Sequence, residues 1–228
     1  MQRDAHSFQV GPSRLHWDGQ ALVVDIDEMS VPWPHRVRGR VKLYPQALCR
    51  YTTALDAGGR HRWGPIAPCS RIEVAFEQPA LRWSGHAYMD SNEGDEPIDV
   101  PFRAWDWARA PLADGGTAVI YDVRPKAGPD RVIAQRFAPD GSAQAFEAPP
   151  RQSLPRSAWH LPRSMRNAGT EPARVLQTLE DTPFYVRSTL QAGLLGERIT
   201  AIHETLDIPR VVSLPVRLML PFRMPRRG

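Results

Sequence analysis

The chain has 228 residues, a mass of 25.6 kDa and a formal net charge of +4. With 42% hydrophobic and 24% charged residues it has the balance of an ordinary globular protein, which excludes disorder over its whole length. Nothing approaches the roughly 18 apolar residues of a spanning helix, and the start MQRDAHSFQV lacks the apolar stretch of a secretory signal. Cys49 and Cys69 are too few for a disulfide framework, so two reduced thiols are expected. Of the 29 basic residues 27 are Arg, with only Lys42 and Lys126 besides. They are scattered among acids rather than clustered, so no nucleic-acid partner is expected.

Short stretches of period two follow one another along the chain. They cover residues 21–27, 36–43, 71–76, 81–90, 103–108, 117–123, 131–137, 176–179 and 199–206. In the clearest, Val37, Gly39, Val41 and Leu43 alternate with Arg36, Arg38, Arg40 and Lys42. Successive side chains of a strand point to opposite faces, so this is one apolar and one charged face. Asp18-Gly19, Gly58-Gly59 and Asp140-Gly141 supply turns between runs. Residues 192–198 form the single weak helix candidate, and the Pro-rich tail is poor helix material. Many short strands with turns between them predict an all-β sandwich or barrel. The break Gly64-Pro65-Ile66-Ala67-Pro68 divides the chain into residues 1–66, a partial sheet, and residues 67–228, with enough strands for a closed barrel.

The common nucleotide-binding, serine-hydrolase and zinc motifs are absent: no GxGxxG, GxxxxGK[ST], GxSxG, HExxH or CxxC. His203-Glu204 reads as a surface histidine in a strand, and no spacing argues for a metal site.

Two short constellations carry candidate chemistry. In GGRHRWGPIAP, His61 and Trp63 share one face of an extended strand. In LRWSGHAYMDSNEGDEP, Arg82, Ser84, His86, Tyr88 and Asp90 share a face, and Leu81, Trp83, Gly85, Ala87 and Met89 share the other. Strand aromatics are commonly packing residues, and a strand-ending Asp is commonly a turn residue. A third segment places Arg103, Trp105, Trp107 and Arg109 on one face, which reads as a rigid strand packed on the barrel.

HRWGPIAP, GHAYMDSNEGDEPI, FRAWDWARA, TLEDTPFYVRS and LPFRMPRR, in that order, resemble the carotenoid 1,2-hydratase family, also called hydroxyneurosporene synthases. The resemblance covers most of the chain. It implies a lipocalin-like fold of two β-barrel-type domains and a hydro-lyase. That enzyme adds water across the terminal C1–C2 double bond of acyclic carotenoids such as lycopene or neurosporene, without a cofactor. The family's functional pairs, His-x-Trp and Tyr-x-Asp, match His61 with Trp63 and Tyr88 with Asp90. Members of the family extend further at the N-terminus, so an incomplete first barrel with exposed strand edges is expected here.

The roles then expected are Asp90 as proton donor, Trp63 and Tyr88 as shelter for the cation, and His61 as the group that orients or deprotonates water. The substrate is membrane-resident. Residues 214–227 mix apolar side chains with four Arg and are read equally as an interfacial segment or as a last packed strand, which suits a cytoplasmic protein peripheral to the inner membrane. A non-catalytic lipocalin-like carrier of a hydrophobic isoprenoid and an inactive shortened member are the competing readings. An acid beside the aromatics favours the hydratase.

Overall fold

The computed structural model describes residues 2–30 and 33–219. The first sheet is antiparallel. It contains β1 (Gln2–Arg3), β2 (Ser7–Val10), β3 (Ser13–Trp17), β4 (Leu22–Met29), β5 (Arg36–Pro45), β6 (Thr53–Ala54), β7 (His61–Gln78) and β8 (Ala80–Gly94). β7 pairs with β6 near its start, with β5 along its second half and with β8 throughout.

The second sheet has the order β12-β11-β10-β9-β17-β16-β15. Its strands are β9 (Phe102–Pro111), β10 (Thr117–Pro125), β11 (Arg131–Phe137), β12 (Ala143–Ala145), β15 (Arg174–Asp181), β16 (Tyr185–Leu194) and β17 (Glu197–Asp207). A small hairpin, β13 (Arg151–Leu154) with β14 (Arg163–Arg166), covers one of its faces. Two short helices, α1 (Ile208–Val211) and α2 (Leu214–Met219), follow β17. The fold is all-β.

The second sheet is a middle layer, and its pattern says so. In β10 every residue from Thr117 to Val123 is buried. Ala118 and Ile120 join Ala108, Ala110, Leu190, Ile199 and Ala201 beneath Leu154 and Met165 of the hairpin. Val119, Tyr121 and Val123 point the other way. They pack with Phe102, Phe137 and Ile208 against Trp63 and Cys69 of the first sheet and Leu55 just after β6. Each such fully buried side chain contributes roughly 1.5–3 kcal/mol.

The hairpin is pinned by charge as well as by packing. Asp122 accepts from Arg151 at 3.0 Å and from Arg166 at 2.9–3.0 Å. Asp106 accepts from Ser164 at 2.6 Å, from Thr205 at 2.5 Å and from Arg124. His203, expected at the surface, is fully buried and contacts the Ser164 carbonyl at 2.8 Å through Nε2. Its neighbours decide this: Ile199, Ala201, His203 and Thr205 alternate onto the hairpin-covered face of β17.

In the first sheet the faces separate as predicted. Register places Val24, Val41, Val74 and Trp83 in one row across four strands, flanked by Leu22, Leu43 and Ile72 on one side and by Ile26, Phe76 and Leu81 on the other. The opposite face holds ion pairs of Arg36 with Asp27 and of Arg40 with Asp25. Phe8 and Val10 of β2 and Trp17 of β3 extend the apolar face, and Trp17 is 44% exposed.

Three expectations change. Residues 192–198 are not helical. They form the β16–β17 hairpin, closed by Leu195-Gly196 with φ of 52° and 80°, the positive pair that a two-residue turn of this hand requires. In the tail, Leu214–Met219 is a helix rather than a last packed strand, with Pro215 in its first turn, where no backbone N–H is needed. The rest of the 214–227 segment lies outside the described residues. The Gly64–Pro68 break lies inside β7, and the chain passes from the first sheet to the second at residues 95–101. The three expected turns are present, each with a glycine at positive φ: Gly19, Gly59 and Gly141. Cys49 and Cys69 are both free thiols.

Candidate active site

The β7–β8 pairing slips twice, between Pro65 and Ala67 and again between Ala67 and Ser70. Bulges of this kind bend a strand pair and re-aim side chains. They lie just past the regular stretch that pairs Trp63 with Asn92 and Pro65 with Asp90, in which Trp63 and Asp90 are diagonal neighbours on one face. Trp63 Nε1 donates to Asp90 Oδ2 at 2.7 Å, and Tyr88 Oη donates to the same oxygen at 3.2 Å. Trp63 is fully buried, its ring edge-on to Tyr121 at 5.8 Å and to Phe137 at 6.3 Å. Tyr88 lies against Trp107 at 5.4 Å.

The facing wall comes from the second sheet. Cross-strand register sets Tyr121, Trp107, Glu204 and Arg187 in one row over β10, β9, β17 and β16. Trp105 and Arg109 lie two positions either side of Trp107 on the same face. These residues, with Tyr88 and Asp90 opposite, line a half-open cavity of about 650 Å³ together with Trp83 and Asn92 of β8. The cavity is aromatic at the Trp105–Tyr121 end and charged at the Arg109–Glu204–Arg187 end.

Burial raises the Asp90 carboxyl above the usual carboxylate range. The hydrogen bonds from Trp63 and Tyr88 pull it back, and the charge of Glu204 adds to the rise. Burial, with the neighbouring Asp90, pushes the Tyr88 phenol well above its ordinary value. Arg109 is held below the usual guanidinium range by desolvation; its Cζ lies 5.8 Å over the Tyr88 ring. Glu204 is ion-paired with Arg187, whose Nη2 and Nε reach Oε1 at 2.6 and 2.8 Å.

Of the four expected site residues, Trp63, Tyr88 and Asp90 come together and His61 stands apart. His61 is buried against Phe102 with ring centroids 5.0 Å apart, and its Nε2 meets the Glu96 carbonyl at 2.9 Å. Its backbone N–H donates to Asp56 at 2.7 Å. It does not line the cavity. Trp105, Trp107 and Arg109, read as packing in the sequence, do line it, as do Tyr121, Arg187 and Glu204. The alternation in FRAWDWARA was the available signal. The row that joins it to Tyr121 and Glu204 depends on strand register. Among the described residues no group of three or more His, Cys, Asp or Glu is placed to hold a metal ion.

The family described as "Carotenoid hydratase CrtC" matches residues 1–228. The chain belongs to the carotenoid hydratase family. Acyclic carotenoid 1,2-hydratase of Rubrivivax gelatinosus is 65% identical over 228 residues, all of this chain and 56% of the relative. The protein of the same name from Thiocapsa roseopersicina is 48% identical over 97% of this chain and 55% of its own length. That from Cereibacter sphaeroides is 37% identical over the whole chain and 81% of its own length. The chain thus spans about half the length of the first two of these relatives. A solved structure of a protein named AttH from Nitrosomonas europaea aligns with a TM-score of 0.59 at 14% identity. The alignment covers 89% of this chain and 70% of that one, a likeness of the lipocalin-like fold alone.

Proposed function

We propose that this carotenoid hydratase family chain adds water across the terminal C1–C2 double bond of an acyclic carotenoid of the lycopene or neurosporene type, with Asp90 as the acid. The observation that carries the reading is the Asp90 carboxyl group, raised by burial, which faces a cavity rich in aromatic side chains while two donors hold one of its oxygens.

Protonation of an isolated trisubstituted alkene at C2 leaves a tertiary cation at C1. Oδ2 of Asp90 accepts from Trp63 and Tyr88, so the acidic proton belongs on Oδ1. As that proton leaves for C2, a carboxylate forms, and the two donors already aimed at it stabilise the charge as it develops. Trp105, Trp107 and Tyr121 offer ring surfaces to the cation, worth roughly 0.5–2 kcal/mol each. Trp63 serves as a donor to Asp90 rather than as a face for the cation, because its ring is enclosed by Tyr51, Tyr121 and Phe137. His61 anchors the 95–101 connection through Glu96, and its expected role on water has no geometric support. Written this way, the reaction consumes only water and needs no cofactor.

The polyene reaches the protein from a membrane. Among the described residues no helix is long and apolar enough to cross one. α2 carries exposed Leu214 and Leu218 beside Arg217, which suits contact with a membrane surface. Incubating the purified chain with lycopene in detergent micelles, with products separated by chromatography, tests the proposal. A 1-hydroxy product is expected, and unchanged lycopene bound to the protein would make the chain a carrier.

A further inference from the structure

The substrate proposed above is a hydrocarbon, yet one end of its cavity is strongly polar. Arg109 is half-buried there, and among the described residues no carboxylate lies within ion-pair distance of its guanidinium. A desolvated guanidinium needs an acceptor, and a polyene has none to offer. Water, or the hydroxyl of the product, does. Glu204 sits beside it: Ile202 is the direct cross-strand partner of Arg109, and Glu204 is two positions further along the same face of β17. On this face Glu204 is flanked by Ile202 and Leu206, so an acid is out of pattern for packing. Both short contacts from Arg187 to Glu204, at 2.6 and 2.8 Å, fall on Oε1, and Tyr185 lies beside the same carboxylate.

We propose that Glu204 and Arg109 hold the attacking water, with Glu204 taking its proton. The inference rests on the reading of Asp90 as the acid. The water oxygen forms its bond to C1 and fills the empty orbital of the cation. One O–H bond of that water breaks, and its proton passes to the Glu204 carboxylate. Asp90, left as a carboxylate, regains a proton from solvent, and Glu204 releases one to it, so the net change is alkene plus water to alcohol. A protonated alcohol is a strong acid, so a carboxylate is base enough to take its proton. The positive charge of Arg109 would oppose the cation by itself; Glu204 is shared with Arg187, and the carboxylate that Asp90 becomes supplies the second negative charge.

The test is hydration of lycopene in D2O by wild type, Glu204→Gln, Arg109→Gln and Asp90→Asn, scoring both 1-hydroxy product and deuterium in recovered lycopene. Glu204→Gln is expected to lose about 10–100-fold in hydration while recovered lycopene gains deuterium, because the cation still forms and returns to alkene. Arg109→Gln gives the same rise in the exchange-to-hydration ratio by a second route, and Glu204→Asp restores part of the hydration. Wild-type hydration by Glu204→Gln, or exchange falling in step with hydration, would overturn the inference. If Asp90→Asn instead hydrates normally, it is the acid assignment that fails, whatever the Glu204 variants do.

Discussion

Trp63 and Tyr88 both donate to Oδ2 of Asp90, and that arrangement fixes the sign of its pH response. The carboxyl must be protonated to act, and burial raises it above its unfolded value. Hydration therefore declines as pH rises through the folded pKa of this group, and the stability linked to it is lost in the same direction. Trp63→Phe removes the nearer donor. The carboxyl rises further, so the pH at which activity is half-lost moves up, while the rate on the acid side falls because the forming carboxylate has one donor fewer. A pH–rate profile of Trp63→Phe against wild type checks both, and a downward shift would contradict the geometry. Tyr88, Asp90 and Trp63 were legible in the sequence from two short spaced pairs. His61 was legible as a position but not as a contact, since its partners Glu96 and Phe102 lie across a connection whose path no alternation reveals.

At the scale of elements, the β13–β14 hairpin is held to the second sheet by Asp122, which binds Arg151 and Arg166 from a site that is 2% exposed. Removing one partner of a buried ion pair costs about 3–5 kcal/mol. Asp122→Ala is expected to lose that much in denaturant unfolding, with faster amide exchange in residues 151–166. An unchanged midpoint would mean the pairs contribute nothing. Eight of the nine strands found showed themselves through runs with one face more apolar than the other. β10 was found although it is buried on both faces, since TAVIYDV is apolar almost throughout. β16 was missed because Ser188 and Gly193 thin its alternation, and the adjoining Ala-Gly-Leu-Leu-Gly run mimicked a helix. β7 was cut at Gly64–Pro68 because Gly and Pro punctuate most chains. Here they mark a bulged stretch inside one long strand.

Across the whole molecule, the first sheet offers an apolar face running from Phe8 and Trp17 to Leu81 and Trp83, while the second sheet is covered on both sides. Exposed apolar patches of this extent bind apolar probes. The chain is expected to enhance the fluorescence of an anilinonaphthalene dye while fully folded, and Trp17→Ser with Leu81→Ser is expected to reduce that signal by about half or more. A dye signal unaltered by the pair of substitutions would place the apolar surface elsewhere. The all-β character of the molecule was plain in the alternation of short strands. The layering was not, because which strand faces which sheet depends on register and on two bulges. The account stands most directly on hydration of lycopene by Asp90→Asn, compared with wild type at matched circular dichroism and melting temperature. A loss of about 10²–10⁴-fold with the fold intact is the predicted result. Turnover within a few-fold of wild type would contradict it.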